Sequence, residues 1–516
     1  MKYFFTIISA ILLTCSFSNA RAQYTILTEF GDLETCDTMT KGPFIVWWDN
    51  SYPAPEFVSD FLDRIVEFRT QCLDDYNLQD PPAVEDGNYI NYYFHESGDV
   101  FPDYFGNYVG GDTYGNAYVT IPKWLHWNFS NAAHETFHVF QYARTSPGYD
   151  YTDDGQWFTE ASANWFKALN YPDEVSAFVT LEILAKLPQV PLWYGWNNRP
   201  EEHPENWQRE NHQYALGYFL YYLTEVKGMP RTLITEGFYN GTDLIPQEYI
   251  ANELGVSVFR SYFLDWTADV IKRFEAASLD QVEAAEDEWL TYAAPADDNQ
   301  FIGTYTNTGT DGWVRPEEIK VTTGWSFNTY KISNDMAETY TFQINGDALS
   351  SEGDATHFEG LVVIKNDAGE TTTYPLIMMT SQTGWISIDM ASSDVEAYFI
   401  VASMPDVYEG VENYYSYEAR ISTGDVSELM AFEFGNLKAS IYPNPSNGPT
   451  SFYIESPIDV DVNIRIVSIE GQSIVGYQLK PGIQLVEMDL SAFASGIYYV
   501  QFEVEGMVKT KKLIVQ

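Results

Sequence analysis

Two histidines and a glutamate stand together in the segment His134-Glu135-Thr136-Phe137-His138. On an α-helix, positions i and i+4 point in nearly the same direction, so both imidazoles can bind one Zn²⁺ ion. Glu135 lies beside them, where a carboxylate can accept a proton from metal-bound water. The alternative is a solvated helix with two incidental histidines. Because the whole chain has only seven histidines, this pairing favours a metal site.

A catalytic zinc ion needs a third protein ligand and an open coordination position. Gln141 and Arg144 stand where the metzincin motif has glycine and histidine, which excludes that class. The remaining common solution is a glutamate on a following helix, and Glu160 fits it, with 21 residues between His138 and Glu160. Asn164 shares a helix face with Glu160 and is positioned to orient a zinc-bound imidazole. The alternatives are a surface carboxylate at Glu160 and an ordinary polar residue at Asn164.

The motif His134-Glu135-x-x-His138, followed by Glu160-x-x-x-Asn164, resembles the gluzincin branch of zinc metallopeptidases. That branch often has aspartate at the last position of the second motif, and Asn164 departs from this pattern. The resemblance implies an α+β zincin-like fold, with a twisted sheet over the active-site helix and a mostly helical lobe after it. It also implies an edge strand that binds the substrate in extended form.

Several segments before the motif have the patterns of regular structure. Residues 43–48, 89–94 and 117–121 are predicted as strands, and residues 55–76 as an amphipathic helix. A glycine-rich loop is expected at 106–115. Among the strands, 117–121 is the expected counterpart of the substrate-binding edge strand.

The resemblance also implies a mechanism for peptide hydrolysis. His134, His138 and Glu160 would hold Zn²⁺, and Glu135 would act as the general base. A further side chain must donate a hydrogen bond to the developing oxyanion. Tyr214 is the first candidate and His212 the second, because both begin a later helix of the kind that carries this donor in zincins. The alternative is that Tyr214 is an ordinary aromatic residue at the edge of the core.

The C-terminal residues resemble the type IX secretion C-terminal sorting domain. The resemblance implies export across the outer membrane and attachment to the outer cell surface or release, through contact with the type IX secretion machinery. Three motifs carry it: Tyr442-Pro443-Asn444-Pro445, Ser495-Gly496-Ile497-Tyr498-Tyr499-Val500 and Lys511-Lys512-Leu513-Ile514-Val515.

The chain is therefore predicted to be multidomain. An α+β zincin-like catalytic domain at 23–300 precedes a β-sandwich at 301–422, where strands alternate with turns. A polar linker at 423–438 leads to a small C-terminal β-sandwich sorting domain at 439–516.

The N-terminal residues indicate an exported protein. Residues 1–22 combine a charged start, a short apolar run and an A-x-A cleavage signal, which is typical of a signal peptide. Removal of that segment leaves Cys36 and Cys72 as an even pair, and such a pair in an exported protein predicts one disulfide. The alternative is two buried thiols.

Composition limits the partners. The formal charge is 27 − 74 = −47, which disfavours nucleic acid because the phosphate backbone is also negative. The same acidity is compatible with a well-hydrated surface or with Ca²⁺ held by acidic loops such as 150–154. After the signal peptide, the sequence has no apolar run long enough for a transmembrane span.

These features favour an exported zinc metallopeptidase that acts on a protein, peptide or glycoprotein substrate. The alternative is a non-catalytic surface adhesin or glycan-binding protein on a zincin scaffold. Trp313, Trp325 and Trp385 of the 301–422 region could line a sugar-binding face, although aromatic residues at strand spacing are more often core.

Overall fold

The computed structural model contains two compact units, residues 1–144 and residues 145–516. The predicted signal peptide (1–22) and residues 424–437 of the predicted linker lie outside the described residues. The structure describes residues 24–28, 35–50, 57–95, 108–122, 129–172, 183–185, 187–198, 206–276, 303–304, 313–316, 321–333, 338–346, 356–378, 381–411, 413–423, 438–442, 444–455, 462–469, 471–479, 483–504 and 507–516.

The N-terminal unit is built on one five-stranded mixed sheet. Its strands are β1 (Cys36–Lys41), β2 (Phe44–Asp49), β3 (Ile90–His95), β4 (Tyr108–Gly111) and β5 (Ala117–Pro122). They lie in the order β1-β2-β3-β5-β4, with β2, β3 and β5 parallel and both outer strands antiparallel to their neighbours. The three inner strands confirm the predicted strands to within one residue.

Two helices of this unit pack against each other. Helix α1 (Val58–Thr70) continues as a π-helical turn at Gln71–Asp75, which confirms the predicted amphipathic helix. The short helix α2 (Pro82–Glu85) follows, and α3 (Phe129–Gln141) carries the histidine motif. Phe61 of α1 lies edge-on to the rings of Tyr92 and Phe94 in β3, so α1 seals one face of the sheet.

Among the described strands, β4 and not 117–121 forms the edge at this side of the sheet, so the prediction for residues 117–121 was wrong on this point. The chain returns through a tight turn in which the Asp112 Oδ1 accepts hydrogen bonds from the backbone N–H groups of Tyr114 and Asn116. Gly115, at φ +83°, supplies the left-handed conformation that the turn requires. As a result, β5 pairs on both sides and β4 forms the edge among the described strands.

Cys36 and Cys72 are not joined by a disulfide, so the predicted bond is wrong. Cys36 packs with the side chains on one face of the sheet, including Trp47 and Tyr93. Cys72 is buried near Tyr92, and because side chains alternate along a strand, Tyr92 points to the opposite face from Tyr93. The sheet therefore separates the two thiols.

The second unit begins with a helical region. Its helices are α4 (Gln156–Asn170), α5 (Asn206–Ala215), α6 (Gly217–Tyr221), α7 (Thr232–Thr235), α8 (Pro246–Leu254) and α9 (Val256–Ala276). Helix α6 approaches α4 closely because Gly217 has no side chain. A Cβ there would lie 2.8 Å from the Asn164 Cβ and 2.9 Å from the Ala161 carbonyl oxygen.

Two further five-stranded sheets follow within the second unit. Their strands are β6 (Gly303–Thr304), β7 (Trp313–Val314), β8 (Ser326–Ser333), β9 (Glu338–Asn345), β10 (Phe358–Asn366), β11 (Thr371–Pro375), β12 (Ile377–Met378), β13 (Thr383–Met390), β14 (Asp394–Ser403) and β15 (Glu418–Thr423). The orders are β11-β10-β14-β8-β6 and β12-β13-β9-β15-β7. Inward side chains of both sheets, such as Phe342 and Phe399, form one apolar cluster.

The loops of these sheets pack onto the helical region. Trp325 is 1% exposed, and its ring lies 4.5 Å from the Phe259 ring and 5.5 Å from those of Phe263 and Tyr408. Its indole nitrogen donates to the carbonyl of Pro405 at 3.0 Å. Trp325 is therefore a core residue and not part of a sugar-binding face.

The C-terminal residues form two smaller antiparallel sheets, of orders β16-β17-β20 and β19-β18-β21-β22. Their apolar side chains, including Phe452, Ile466 and Phe502, form a separate cluster. The strands are β16 (Lys438–Tyr442), β17 (Pro449–Glu455), β18 (Val462–Ser468), β19 (Ser473–Leu479), β20 (Ile483–Asp489), β21 (Gly496–Val504) and β22 (Met507–Val515). Within the described residues, we find no helix with the length and apolar character needed to cross a membrane.

Candidate metal centre

The side chains of the histidine motif on helix α3 are buried. His134, Glu135 and His138 are each at least nine-tenths buried. The helix is held against the sheet by a hydrogen bond of 2.9 Å between the hydroxyls of Thr136 and Tyr92. Because this contact fixes the rotation of α3 about its axis, it also fixes the direction of the two imidazoles.

The two imidazoles converge on one point. Their Nε2 atoms lie 3.0 Å apart, and the ring planes are nearly perpendicular, at 87°. Two nitrogens bound to one tetrahedral zinc ion, each at about 2.0–2.1 Å, would lie about 3.3 Å apart. The spacing of His134 and His138 therefore fits a shared metal ion with little movement.

The third predicted ligand, Glu160, lies on α4 and is 7% exposed. Each of His134, His138 and Glu160 offers one ligand atom, and these three atoms all lie within 4.8 Å of one another. Two nitrogens and one carboxylate oxygen form a donor set that suits Zn²⁺ and leaves a fourth position for water. The residues thus fit the metal that the sequence predicted.

Hydrogen bonds from three side chains of helix α4 hold it against neighbouring segments. The indole nitrogen of Trp157 donates to Gln247 at 2.9 Å, and that of Trp165 donates to Thr224 at 3.0 Å. The carboxamide nitrogen of Asn164 donates to the backbone carbonyl of Tyr214 at 2.9 Å. Asn164 therefore ties α5 to α4, and its predicted role in orienting a zinc-bound imidazole stays a prediction.

The two predicted oxyanion donors have different surroundings. His212 is 2% exposed, and its ring lies 6.2 Å from that of Tyr194. It lines a small cavity of about 10 Å³ together with apolar residues such as Leu216 and Trp266. This burial separates His212 from solvent, whereas the Tyr214 side chain is half-buried.

Two residues that the sequence analysis did not assign to the site contact its candidate ligands. The Nδ1 of His138 lies 2.6 Å from the Oε1 of Gln141, and the hydroxyl of Tyr151 donates to the Oε1 of Glu160 at 3.0 Å. Gln141 could have been found, since it follows His138 by three positions on the same helix. Tyr151 lies outside regular structure, so no periodic pattern marks it.

A cleft of about 550 Å³ opens beside the Tyr151 loop, within the second unit. Asp150, Asp153, Asp154 and Glu409 contribute carboxylates to its lining. Burial raises the pKa of Asp154, and the nearby carboxylates of Glu409 and Asp153 raise it further, although a hydrogen bond from the Gly410 backbone N–H opposes them. The cleft therefore carries a strongly negative lining.

The comparison with protein families assigns the C-terminal residues. Residues 440–516 match the family described as the secretion system C-terminal sorting domain. This confirms the predicted sorting domain, which engages the type IX secretion machinery. The protein is exported by that route and is either secreted or attached to the outer cell surface.

The other comparisons do not extend this assignment. No curated protein matches the chain. Among solved structures, β-glucuronidase 3 of Bacteroides uniformis matches at 10% identity, over 37% of this chain and 27% of that one, with a TM-score of 0.14. The BSP domain of a biofilm-associated protein matches at 10% identity, over 45% and 55%, with a TM-score of 0.12. The chain thus spans about a quarter of that glucuronidase, and neither score shows a common fold.

Proposed function

We propose that this protein is an exported zinc-dependent metallopeptidase. The observation that carries the proposal is the convergence of the ligand atoms of His134, His138 and Glu160, with Glu135 adjacent to His134 on the same helix. Two imidazoles, one carboxylate and a neighbouring second carboxylate are the groups that zinc-assisted hydrolysis of an amide requires.

Each side chain then has a defined task. A bound zinc ion would lower the pKa of its water and polarise the scissile carbonyl. His134 and His138 supply nitrogen ligands, and Glu160 supplies an oxygen ligand. Glu135 accepts the proton of the attacking water and passes it to the leaving amine.

Among the described residues, we favour Tyr151 as the donor of a hydrogen bond to the developing oxyanion. Its hydroxyl donates its single proton to the carboxylate of a candidate metal ligand, and rotation of the O–H away from Glu160 would direct that proton to the oxyanion. The residue remains 42% exposed and can meet a substrate. Burial of the hydroxyl and the charge of Glu160 both raise the Tyr151 pKa, which keeps the proton on the oxygen at neutral pH. We therefore place Tyr151 ahead of Tyr214 and His212 for this role.

The edge strand β4 suits an extended peptide substrate. Helix α3 packs against β4 and β5, so the strand lies beside the helix that bears the histidines. Among the described strands, the outer side of β4 has no partner strand, and such an edge offers backbone N–H and C=O groups to which a peptide can add. Gly110 and Gly111 present no side chain that would obstruct such an approach.

The direct test is cleavage of a diverse mixture of peptides and glycoproteins by the mature protein supplied with zinc. We expect the wild type to cleave and Glu135→Gln to lose activity while it still binds one zinc ion. Glu67→Gln, which alters an exposed glutamate on α1, is the matched control and should retain full activity.

The opposite outcome is equally informative. If the zinc-loaded wild type and Glu135→Gln both fail to cleave any component, the peptidase proposal is contradicted. The non-catalytic adhesin or glycan-binding protein would then be the function to test, by binding of immobilised glycans. If the chelator-treated, metal-free protein cleaves as well as the loaded one, the zinc-dependent mechanism is wrong.

A further inference from the structure

We propose that Gln141 is a positioning residue that holds His138 in the tautomer required for metal binding. The inference rests on the proposed function, because it concerns a ligand of the same metal centre. It adds a residue and a role that the motif itself does not contain.

The hydrogen bond defines the tautomer. A neutral imidazole has one nitrogen that donates and one that accepts. The Oε1 of Gln141 can only accept, so at 2.6 Å it requires the proton of His138 to be on Nδ1. The lone pair is then on Nε2, the atom that faces the Nε2 of His134 at 3.0 Å.

Gln141 is itself held in place. It is the last residue of α3 and only 1% exposed. Its backbone carbonyl accepts hydrogen bonds from the backbone N–H of Arg144 at 3.1 Å and from the Arg144 Nη1 at 3.3 Å. A carboxamide on such an anchored backbone can direct the ring of His138 without moving when a metal ion binds.

The neutral charge of Gln141 has a chemical consequence. Glu160 already contributes one carboxylate to the ligand cluster, Glu135 adds a second on the same helix as His138, and a third at position 141 would add negative charge beside His138. A carboxamide fixes the tautomer without that charge. An outer hydrogen-bond partner of a metal-binding histidine typically changes metal affinity by about 10- to 100-fold when it is lost.

The first measurement is zinc affinity by competition with a chromophoric chelator, using the full mature protein. We expect Gln141→Met, which keeps the side-chain length but accepts no hydrogen bond, to weaken zinc binding about 10- to 100-fold. Gln141→Glu restores an acceptor and should bind zinc at least as tightly as the wild type. Gln343→Met, which alters a buried glutamine on β9, controls for a general loss of packing and should leave the affinity unchanged.

The second measurement needs no metal. In metal-free protein labelled with ¹⁵N-histidine, the nitrogen chemical shifts report which ring nitrogen of His138 carries the proton. We expect Nδ1–H in the wild type and a shift toward Nε2–H in Gln141→Met. Wild-type zinc affinity in Gln141→Met, or an Nε2–H tautomer in the wild type, would overturn the inference. A wild type that binds no zinc would instead contradict the proposed function, and the tautomer measurement would still decide the role of Gln141.

Discussion

The hydroxyl of Tyr151 donates a hydrogen bond of 3.0 Å to the carboxylate of Glu160, nine residues further along the chain. The bond connects the loop before α4 to the face of α4 that carries the candidate third ligand. Glu160 is buried whereas Tyr151 is 42% exposed, so the pair links the metal centre to the surface. Three of our predictions concern this centre and its surroundings, and two concern the stability of the second unit.

Replacement of Tyr151 by phenylalanine should slow catalysis even when the metal site is saturated. Loss of one oxyanion donor typically lowers kcat by about 100- to 1000-fold. We therefore expect a fall of that order in Tyr151→Phe, measured as steady-state kinetics at a zinc concentration that metal analysis shows to saturate both proteins, because Tyr151 also contacts the candidate ligand Glu160. Tyr414→Phe, at an exposed tyrosine far along the chain, serves as the control.

Tyr214→Phe distinguishes between the two candidate donors. The Asn164 contact uses the backbone carbonyl of Tyr214, so the variant should keep that link, and it should keep most of its kcat because Tyr151 is the proposed donor. A larger loss in Tyr214→Phe than in Tyr151→Phe would reassign the oxyanion donor to Tyr214.

Replacement of Glu160 by glutamine should weaken zinc binding more than the loss of Gln141 does. The change removes an anionic ligand, whereas Gln141 acts only through His138. We expect the affinity to fall by more than about 100-fold, measured by chelator competition. Glu409→Gln removes a negative charge from the adjacent cleft and should bind zinc normally; equal losses in both variants would show that bulk charge, not ligation, controls affinity.

Truncation of Trp325 should destabilise the second unit. The side chain is buried against Phe259, Phe263 and Tyr408, and large-to-small changes at such aromatic sites cost about 3–5 kcal/mol. Trp325→Ala should therefore lower the melting temperature clearly in a calorimetric scan. The half-buried Trp385 is the matched comparison, and a similar effect of Trp385→Ala would contradict the central position of Trp325.

Protonation of Glu396 in acid should destabilise the two five-stranded sheets of the second unit. Burial alone would raise the pKa of this carboxyl, but hydrogen bonds from Lys331, Tyr398 and Lys365 outweigh it and lower the pKa to about 2. When folding lowers the pKa of a carboxyl group, that group stabilises the folded state at pH values above its ordinary, unfolded-state pKa. That stabilisation is lost as the pH falls through the folded value.

The measurement is the difference in melting temperature between the wild type and Glu396→Gln across pH 2 to 7. We expect the difference to be full near neutrality and to shrink as the pH falls below the ordinary glutamate range toward 2. Glu418→Gln, at a glutamate paired with the more exposed Arg315, should show a smaller difference. A pH-independent difference at Glu396 would contradict the assignment.

The residue types of the candidate centre could be predicted from the sequence because its core is local. The rotation per residue of an α-helix is set by backbone hydrogen bonds, so residues four apart face the same way in any fold. His134 and His138 needed only a helix, and the structure provides α3. The sorting domain was equally predictable, since contiguous motifs at 442–515 carry its resemblance.

Contacts between distant segments were decided by the tertiary structure alone. Cys36 and Cys72 form an even pair in the sequence, yet the sheet lies between them. The family resemblance implied that strand 117–121 is the edge strand, but the β4–β5 turn places it in the interior of the sheet. The alternation of side chains along a strand shows which residues share a face of the sheet. It does not show which strands lie on either side.

The tertiary structure also decided two contacts of the site that involve residues outside the sequence motif. Gln141 was noted in the sequence only as a departure from another motif, and its hydrogen bond depends on a side-chain rotamer. Tyr151 reaches Glu160 because the loop before α4 folds back onto that helix. Residue type and spacing determined which groups could bind a metal ion, whereas packing determined which neighbours hold those groups, because packing energy depends on the whole fold.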